Sequence, residues 1–353
     1  MRIESTETLG GTGVTPEQQE RMQAGNYILH VRDGLVRELP VVKRRLPRDP
    51  KGHYQGLALI RSPAGLIYAV QKSIWSRSTD GGETWQHLER DPERFGFNDW
   101  RLQFDGDGRL LAVREQDASI WVSENEGASW IQVGELDLAP FEEVVLGDNI
   151  ARLADGTLLL PVKQIQGDFH EAPNPAYVFR STDGGTSFSE RFLLCDYGCE
   201  INLTELVPGR LIAVIRYQPG PPDRPELGKT VFLAESADAG KSWANHRQLT
   251  NVNGQCHGMA AGLAGGILVV AHDHRYPRSM GSCRAMVSRD DGQSWEDEVY
   301  YLCHGNVAGY PRHLTLDSDE ILTLVGSCYG DADAGWGMAT GNSDFCIIRW
   351  RPE

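Results

Sequence analysis

The densest chemistry in this 353-residue chain is the run Ala271-His272-Asp273-His274-Arg275-Tyr276. With His257, His304 and His313 it suggests a histidine-rich wall, and three chemistries fit it. At strand spacing His272 and His274 fall on one face and, with His257, offer imidazole ligands for a metal. In the second, His257 or His274 acts as acid or base with Tyr276 or Tyr329 as partner, while Arg216 neutralises a carboxylate on the substrate. That is the constellation for β-elimination from a uronate. In the third, the histidines are hydrogen-bonded structural groups, because His-x-His alone is weak evidence of a site. Carboxylates offer a further chemistry. Glu200 with Asp99, Asp273 or Glu115 supplies the two acids of a glycosidase, one as proton donor and one as nucleophile or base.

Such side chains must be brought together by a scaffold, and a repeat describes it. Five segments share one eight-residue frame of Ser, an acidic or amide residue, Gly, Ser or Thr, and an aromatic. They are Ser78 to Trp85, Ser123 to Trp130, Ser181 to Phe188, Ser236 to Trp243 and Ser288 to Trp295, starting 45, 58, 55 and 52 residues apart. A period of this length marks one supersecondary unit copied around an array. Within the frame the Asp side chain caps N–H groups of its own turn, and Gly supplies positive φ. The aromatic is suited to plug between neighbouring sheets. Asp80, Asp183, Asp238 and Asp290 are therefore structural rather than catalytic.

Hairpins are expected upstream of each box and once more near the end, at 55–72, 99–115, 148–163, 200–216, 257–273 and 311–327. Their second strands, such as Leu110-Leu-Ala-Val113 and Ile267-Leu-Val-Val270, are continuous apolar runs, as buried inner strands should be. Six such units predict an all-β, six-bladed β-propeller of four-stranded antiparallel blades. The strand around Tyr27-Ile-Leu-His-Val31 is expected to complete the last blade and hide both edges. The single propeller domain is placed at 26–353, with 1–25 a polar, partly mobile segment.

In every hairpin the first residue and the last share one face of the sheet, so six pairs gather at the channel mouth. Aligned on their turn residues they include Lys72, Glu115, Lys163, Arg216, Asp273, Asp99, Glu200 and His257, with Gln55, Arg101, Arg114, Arg275 and Arg312 close by. A basic cluster at a concave mouth, in a chain of net charge −15, points to an anionic small ligand. That net charge and a pI near 5.1 argue against nucleic acid or an anionic membrane surface as partner. The first ten residues contain no apolar core of a secretory signal, and seven cysteines without a CxxC pair suggest free thiols. A cytoplasmic location is the expectation; no metal and no other cofactor is expected.

The eight-residue frame is that of the Asp box, and the chain resembles the sialidase superfamily of β-propellers. The resemblance is carried further by the fourth hairpin, where the family has E-x-x-x-x-E-L-x-x-G-x-L-x-x-x-x-R. Here Glu200, Glu205, Leu206, Gly209, Leu211 and Arg216 occupy those positions. It implies that Arg216 grips a substrate carboxylate and that Glu200 is the base activating a Tyr nucleophile. Other positions depart from the family. Gln55 stands where the first carboxylate-binding Arg belongs, and Lys72-Ser-Ile-Trp75-Ser-Arg-Ser78 lacks the general-acid Asp. Arg278 and Arg284 are out of frame for the third Arg. Gly309-Tyr310-Pro311 replaces Gly-Tyr-Ser, the nucleophile position aligns with Gly326, and Tyr329 lies three residues beyond it. The expected function is hydrolysis of a glycan bearing a uronate or nonulosonate carboxylate. Catalysis is assigned to Glu200, Asp273, His257 and Tyr329. Substrate contacts are assigned to Arg216, Gln55, Lys72, Asp99, Arg101, Lys163, His274, Arg275, Tyr276 and Arg312. Elimination by a His/Tyr pair and a non-catalytic glycan- or protein-binding propeller are the alternatives.

Overall fold

The computed structural model describes residues 14–47, 57–71, 74–90, 100–166, 174–198, 200–217, 229–275, 281–305, 309–329 and 342–353, without the side chains of 327–329 and 342–344. Among the described residues six antiparallel sheets follow one another along the chain, and together they form a six-bladed β-propeller. The first blade runs Leu57–Arg61, Ile67–Gln71, Ile74–Ser78 and Gln86–Glu89 from its inner to its outer strand. Each expected hairpin supplies the two inner strands of one blade. In the third blade the innermost strand is broken into Val144–Leu146 and Ala151–Arg152, both paired with Leu158–Gln164. Gly147 sits at that break because a Cβ there would meet Pro161 Cβ at 2.5 Å and Ile201 O at 3.0 Å.

The apolar core lies between blades rather than within them. Leu57 and Leu59 of the first blade pack against Leu322 and Leu324 of the sixth, and an equivalent cluster fills each of the other five seams. Side chains also stitch neighbouring inner strands together. Arg101 donates to Gly147 O, Asn202 Nδ2 to Gly258 O at 2.8 Å, and Arg312 Nε to Leu57 O at 2.9 Å. Inner-strand edges facing the channel thus find partners across these three seams.

The Asp boxes behave as their composition requires. In the third, Gly185 N donates to Ser181 Oγ at 2.9 Å and Ser187 N to Asp183 Oδ1 at 3.0 Å, with Gly185 at φ +85°. Each box leans on the preceding blade: Gly127 and Trp130 of the second abut Trp75 of the first. Trp130 is buried and its Nε1–H donates to Gly127 O at 3.1 Å. Trp130→Ala is expected to cost about 3–5 kcal/mol of stability, as large aromatic truncations in cores do. Denaturant unfolding measures that loss, and activity per folded molecule should stay unchanged.

Ring closure differs from expectation in one respect. The last blade is completed from the N-terminal region, but by Val42–Leu46, which pairs with Asn342–Trp350. The strand expected there, Tyr27–Arg32, instead pairs with Glu298–His304 and, with Leu35–Pro40, extends the fifth blade to six strands. Part of the segment expected to be mobile is a helix, Pro16–Ala24, with Thr15 and Gln18 in a reciprocal capping box. It docks on the fifth blade, where its buried Gln23 accepts from His304 N at 2.9 Å.

Candidate active site

A central cavity of about 740 Å³ runs between the inner strands and is lined at one end by Trp100, Arg101, Glu115, Asp148, Glu200, Tyr310 and Arg312. Its chemistry comes from hairpin ends. Glu200 and Arg216 close the fourth hairpin, where Arg216 N donates to Glu200 O at 3.0 Å. His257 and Asp273 stand at the same positions of the fifth hairpin, and Asp273 N donates to Cys256 O at 2.9 Å. Tyr310 comes from the sixth, at a register shift between Gly309 and Arg312.

These side chains close a circuit across three blades. Glu200 Oε2 accepts from Arg216 Nη1 and from His257 Nε2, and Glu200 Oε1 accepts from the Tyr310 hydroxyl at 2.5 Å. His257 Nδ1 meets Asp273 Oδ2 at 2.8 Å, and Tyr310 N–H donates to Asp273 Oδ1 at 2.8 Å. The His257 and Tyr310 rings stack at 3.9 Å and 28°. Both residues have left-handed backbone, φ +50° and +55°, which costs about 1–3 kcal/mol each and persists only where surroundings enforce it. Arg275 donates to Asp273 Oδ2 through Nε at 3.0 Å and Nη2 at 2.8 Å.

The carboxyl groups are driven apart electrostatically. Burial would raise Glu200, but Arg216, His257 and the Tyr310 hydroxyl outweigh it and hold Glu200 well below the usual carboxylate range. Burial likewise opposes ionisation of Asp273, and Arg275 with His257 brings it below its ordinary value. Asp148 goes the other way: burial raises it in spite of Arg312, whose Nη2 lies 3.8 Å from Oδ1. For His257, burial favours the neutral ring, yet Glu200 raises it to about 9. Near neutral pH the site therefore holds an ionised Glu200 and an imidazolium at His257, while Asp148 is shifted toward keeping its proton.

Of the expected site residues, Glu200, Arg216, His257, Asp273 and Arg275 are brought together, with Arg312 close by. Arg101 lies in the cavity wall, bonded to Glu115 at 3.2 Å and to Leu146 O at 3.1 Å. Lys163 is buried in the third blade and is not among the cavity-lining residues. Gln55, Lys72, Asp99 and Tyr276 lie outside the described residues. Tyr329 is a strand residue paired with Asn342, and its side chain lies outside the described atoms. The tyrosine that meets Glu200 is Tyr310.

The histidine wall is a correction. Asp273 points to His257, so His272 and His274 lie on the opposite face of their strand. His272 Nδ1 bonds Asp273 O at 2.7 Å, and burial lowers its pKa to about 4. His274 Nδ1 bonds Gln255, and His304 lies beneath the helix. His313 lines the cavity as a neutral ring, lowered by burial to about 3. Cys256, His257 and Asp273 offer three ligand atoms within 4.8 Å of one another, but Arg275 already sits on Asp273 and His257, which disfavours a cation there. Both His257 nitrogens are engaged and the ring is charged, so it is unsuited to be the free base of an elimination.

Residue reasoning missed Tyr310 and Asp148. Gly309-Tyr310-Pro311 was the available signal for the first. For the second it was Gly147-Asp148, where the break in the strand leaves Asp148 N donating to Ile201 O at 2.8 Å.

Comparison with known proteins places this geometry. The BNR repeat-like domain family matches residues 112–321, and a BNR/Asp-box repeat matches 76–87. A sialidase of Bacteroides fragilis (strain YCH46) is 24% identical over 301 residues, covering 71% of this chain and 53% of its own length. The chain thus spans about half of that curated relative. Among solved structures, the Hadza microbial sialidase Hz136 has a TM-score of 0.60 at 15% identity, covering 90% of this chain and 69% of its own. The GH93 α-L-arabinofuranosidase of Fusarium graminearum with arabinobiose has a TM-score of 0.61 at 17% identity, covering 88% and 97%. These sialidase-like propellers are glycoside hydrolases, and at such identities the structural likeness shows the fold alone. The family match spans more than half of the sequence, and the chain belongs to the BNR repeat-like domain family, with the six-bladed propeller fold that sialidases and the GH93 arabinofuranosidase share.

Proposed function

We propose that the protein is a retaining glycoside hydrolase acting on a glycan with a carboxylate near the scissile bond. The observation that carries this reading is the Tyr310–Glu200 hydrogen bond at the channel mouth, in one cavity with Asp148. Two carboxyl groups with oppositely perturbed pKa values are what acid–base division of labour requires.

In the first step Tyr310 Oη forms a bond to the anomeric carbon while the glycosidic C–O bond breaks. Glu200 takes the phenol proton, and Asp148 gives its proton to the departing oxygen. In the second, Asp148 removes a proton from water, whose oxygen attacks the anomeric carbon. Tyr310 then leaves and recovers its proton from Glu200. Two inversions give net retention. A neutral phenol suits a substrate whose own carboxylate would repel an anionic nucleophile.

Arg312 is the residue assigned to that carboxylate. It lines the cavity, and among the described residues its ion-pair partner is Asp148, which burial shifts toward the neutral form. Arg312→Gln is expected to raise KM for a uronate- or nonulosonate-capped oligosaccharide about 10–100-fold, the worth of a charged hydrogen bond, with kcat nearly unchanged. An equal effect on a neutral arabinoside would remove the carboxylate from the reading.

Hydrolysis itself is tested by product mass after incubation with a panel of capped oligosaccharides in ¹⁸O-labelled water. One ¹⁸O in the released sugar supports the proposal. An unlabelled, dehydrated fragment would mean elimination, and binding without cleavage across the panel would mean a lectin-like propeller.

A further inference from the structure

We propose that the Asp273–His257 pair is a positioning dyad that orients the Tyr310–Glu200 couple and supplies a positive charge to the phenol ring. This rests on the reading of Tyr310 as nucleophile and Glu200 as base. The geometry is specific. One carboxylate, Asp273, reaches both partners, its Oδ2 at His257 Nδ1 and its Oδ1 at the Tyr310 backbone N–H, each 2.8 Å away. His257 in turn contacts both members of the couple, bonding Glu200 through Nε2 and stacking on Tyr310 at 3.9 Å. Neither dyad residue is among those lining the cavity, so neither is expected to touch substrate.

What the arrangement does follows from charge. An imidazolium against the phenol ring favours the partial negative charge that the oxygen gains while Glu200 takes its proton, before the bond to carbon consumes it. Its hydrogen bond also fixes the Glu200 carboxylate with one oxygen aimed at Tyr310. The left-handed backbone at His257 and Tyr310 is the strain by which the two rings are brought face to face. The groups facing His257 are Glu200 and Arg216 from the fourth blade, Cys256, Asp273 and Arg275 from its own, and Tyr310 from the sixth. Asp148 acts on it at longer range, and Lys229 adds a further positive charge near Arg216, Arg275 and Glu200. Two anions and two guanidiniums nearly balance, so removing one anion returns the ring toward neutrality.

The sign follows directly. His257 is raised from 6.5 to about 9, so its charge, and the stability linked to it, is fully present below pH 6.5 and lost as pH rises through 9. The test is kcat/KM against pH with an activated aryl glycoside, whose first step needs no proton donor. Wild type should lose activity on an alkaline limb near pH 9. Asp273→Asn should move that limb at least one pH unit lower, with little change in KM. His257→Gln keeps a hydrogen-bonding side chain without charge, and should lower kcat about 100-fold and remove the limb. Cys256→Ser removes a contribution that raises the ring less than Glu200 does, and should lower the limb only slightly. A merely structural pair would lower activity equally at every pH and leave the limb unmoved in Asp273→Asn, which would overturn the proposal.

Imidazole NMR of the unliganded wild-type protein, assigned with His257→Gln, gives a readout independent of turnover and of any unstable variant. One histidine titrating near pH 9 is expected, and titration of His257 below pH 7 would sink the dyad. Turnover surviving in both Tyr310→Phe and Glu200→Gln would instead overturn the underlying reading of the couple.

Discussion

Tyr310→Phe should lose about 10³-fold or more in kcat while still binding substrate, because the change deletes one oxygen and leaves the ring stacked on His257. Glu200→Gln should lose about 10²–10⁴-fold, the range for removing a positioned base. The two losses should not add, since both variants remove the same step. The competing assignment makes Glu200 itself the nucleophile. Tyr310 would then only tune a carboxylate, and its removal would cost about tenfold. A fluorinated substrate analogue that stalls the second step separates the two assignments by peptide mass mapping. An adduct on Tyr310 is expected, and one on Glu200 would transfer the nucleophile role. A glycan-binding propeller would keep its affinity in both variants and show no turnover to lose.

What the sequence made legible was whatever is built locally. The Asp box makes its own turn from hydrogen bonds two and four residues apart, as between Ser181, Asp183, Gly185 and Ser187. Five copies therefore announced blades without any knowledge of their neighbours. The hairpins were equally visible, each an apolar pair around a short turn. Closure was harder, because strand choice is a long-range decision. Tyr27–Arg32 and Val42–Leu46 are both short and partly apolar, and the difference is which open edge each meets. Tyr27–Arg32 presents Ile28, Leu29 and Val31 to the fifth blade and its helix, and Val42–Leu46 offers Leu46 to the seam between the first and sixth blades.

The same division runs through the site. Glu200 with Arg216, and His257 with Asp273, are ends of hairpins of equal length whose registers are unbroken near those ends, and equal spacing found both pairs. Tyr310 escaped because the sixth hairpin is irregular. The shift between Gly309 and Arg312 displaces the functional position by one residue from the aligned Pro311. A one-residue slip in a strand exchanges its faces, so the frame pointed to the wrong side chain. The paired histidines misled for the converse reason. Alternation correctly put His272 and His274 on one face, but that face is not the one Asp273 turns to His257.

Asp148→Asn should separate substrates by the quality of their leaving group. A sugar hydroxyl leaves poorly without a proton, so kcat/KM for an oligosaccharide should fall about 10²–10⁴-fold. An aryl glycoside with an acidic phenol leaves unaided, and its kcat/KM should change less than about tenfold. Its second step still needs Asp148 as base, so a burst of phenol followed by slow turnover is expected. The pH dependence supplies the sign. Burial raises Asp148, so the proton needed for oligosaccharide cleavage is held at low pH and lost as pH rises through that elevated value. The limb at that value should therefore vanish from the oligosaccharide profile in Asp148→Asn, leaving the one near pH 9. The aryl substrate should keep its separate limb near pH 9, which belongs to His257. Equal losses on both substrates would mean that Asp148 serves Arg312 and the cavity wall, and that the proton comes from another group at the mouth. Arg312 ties the two behaviours together. A substrate carboxylate bound to it brings a negative charge near Asp148, which raises the carboxyl further and makes the acid strongest in its hold on the proton once the ligand is seated.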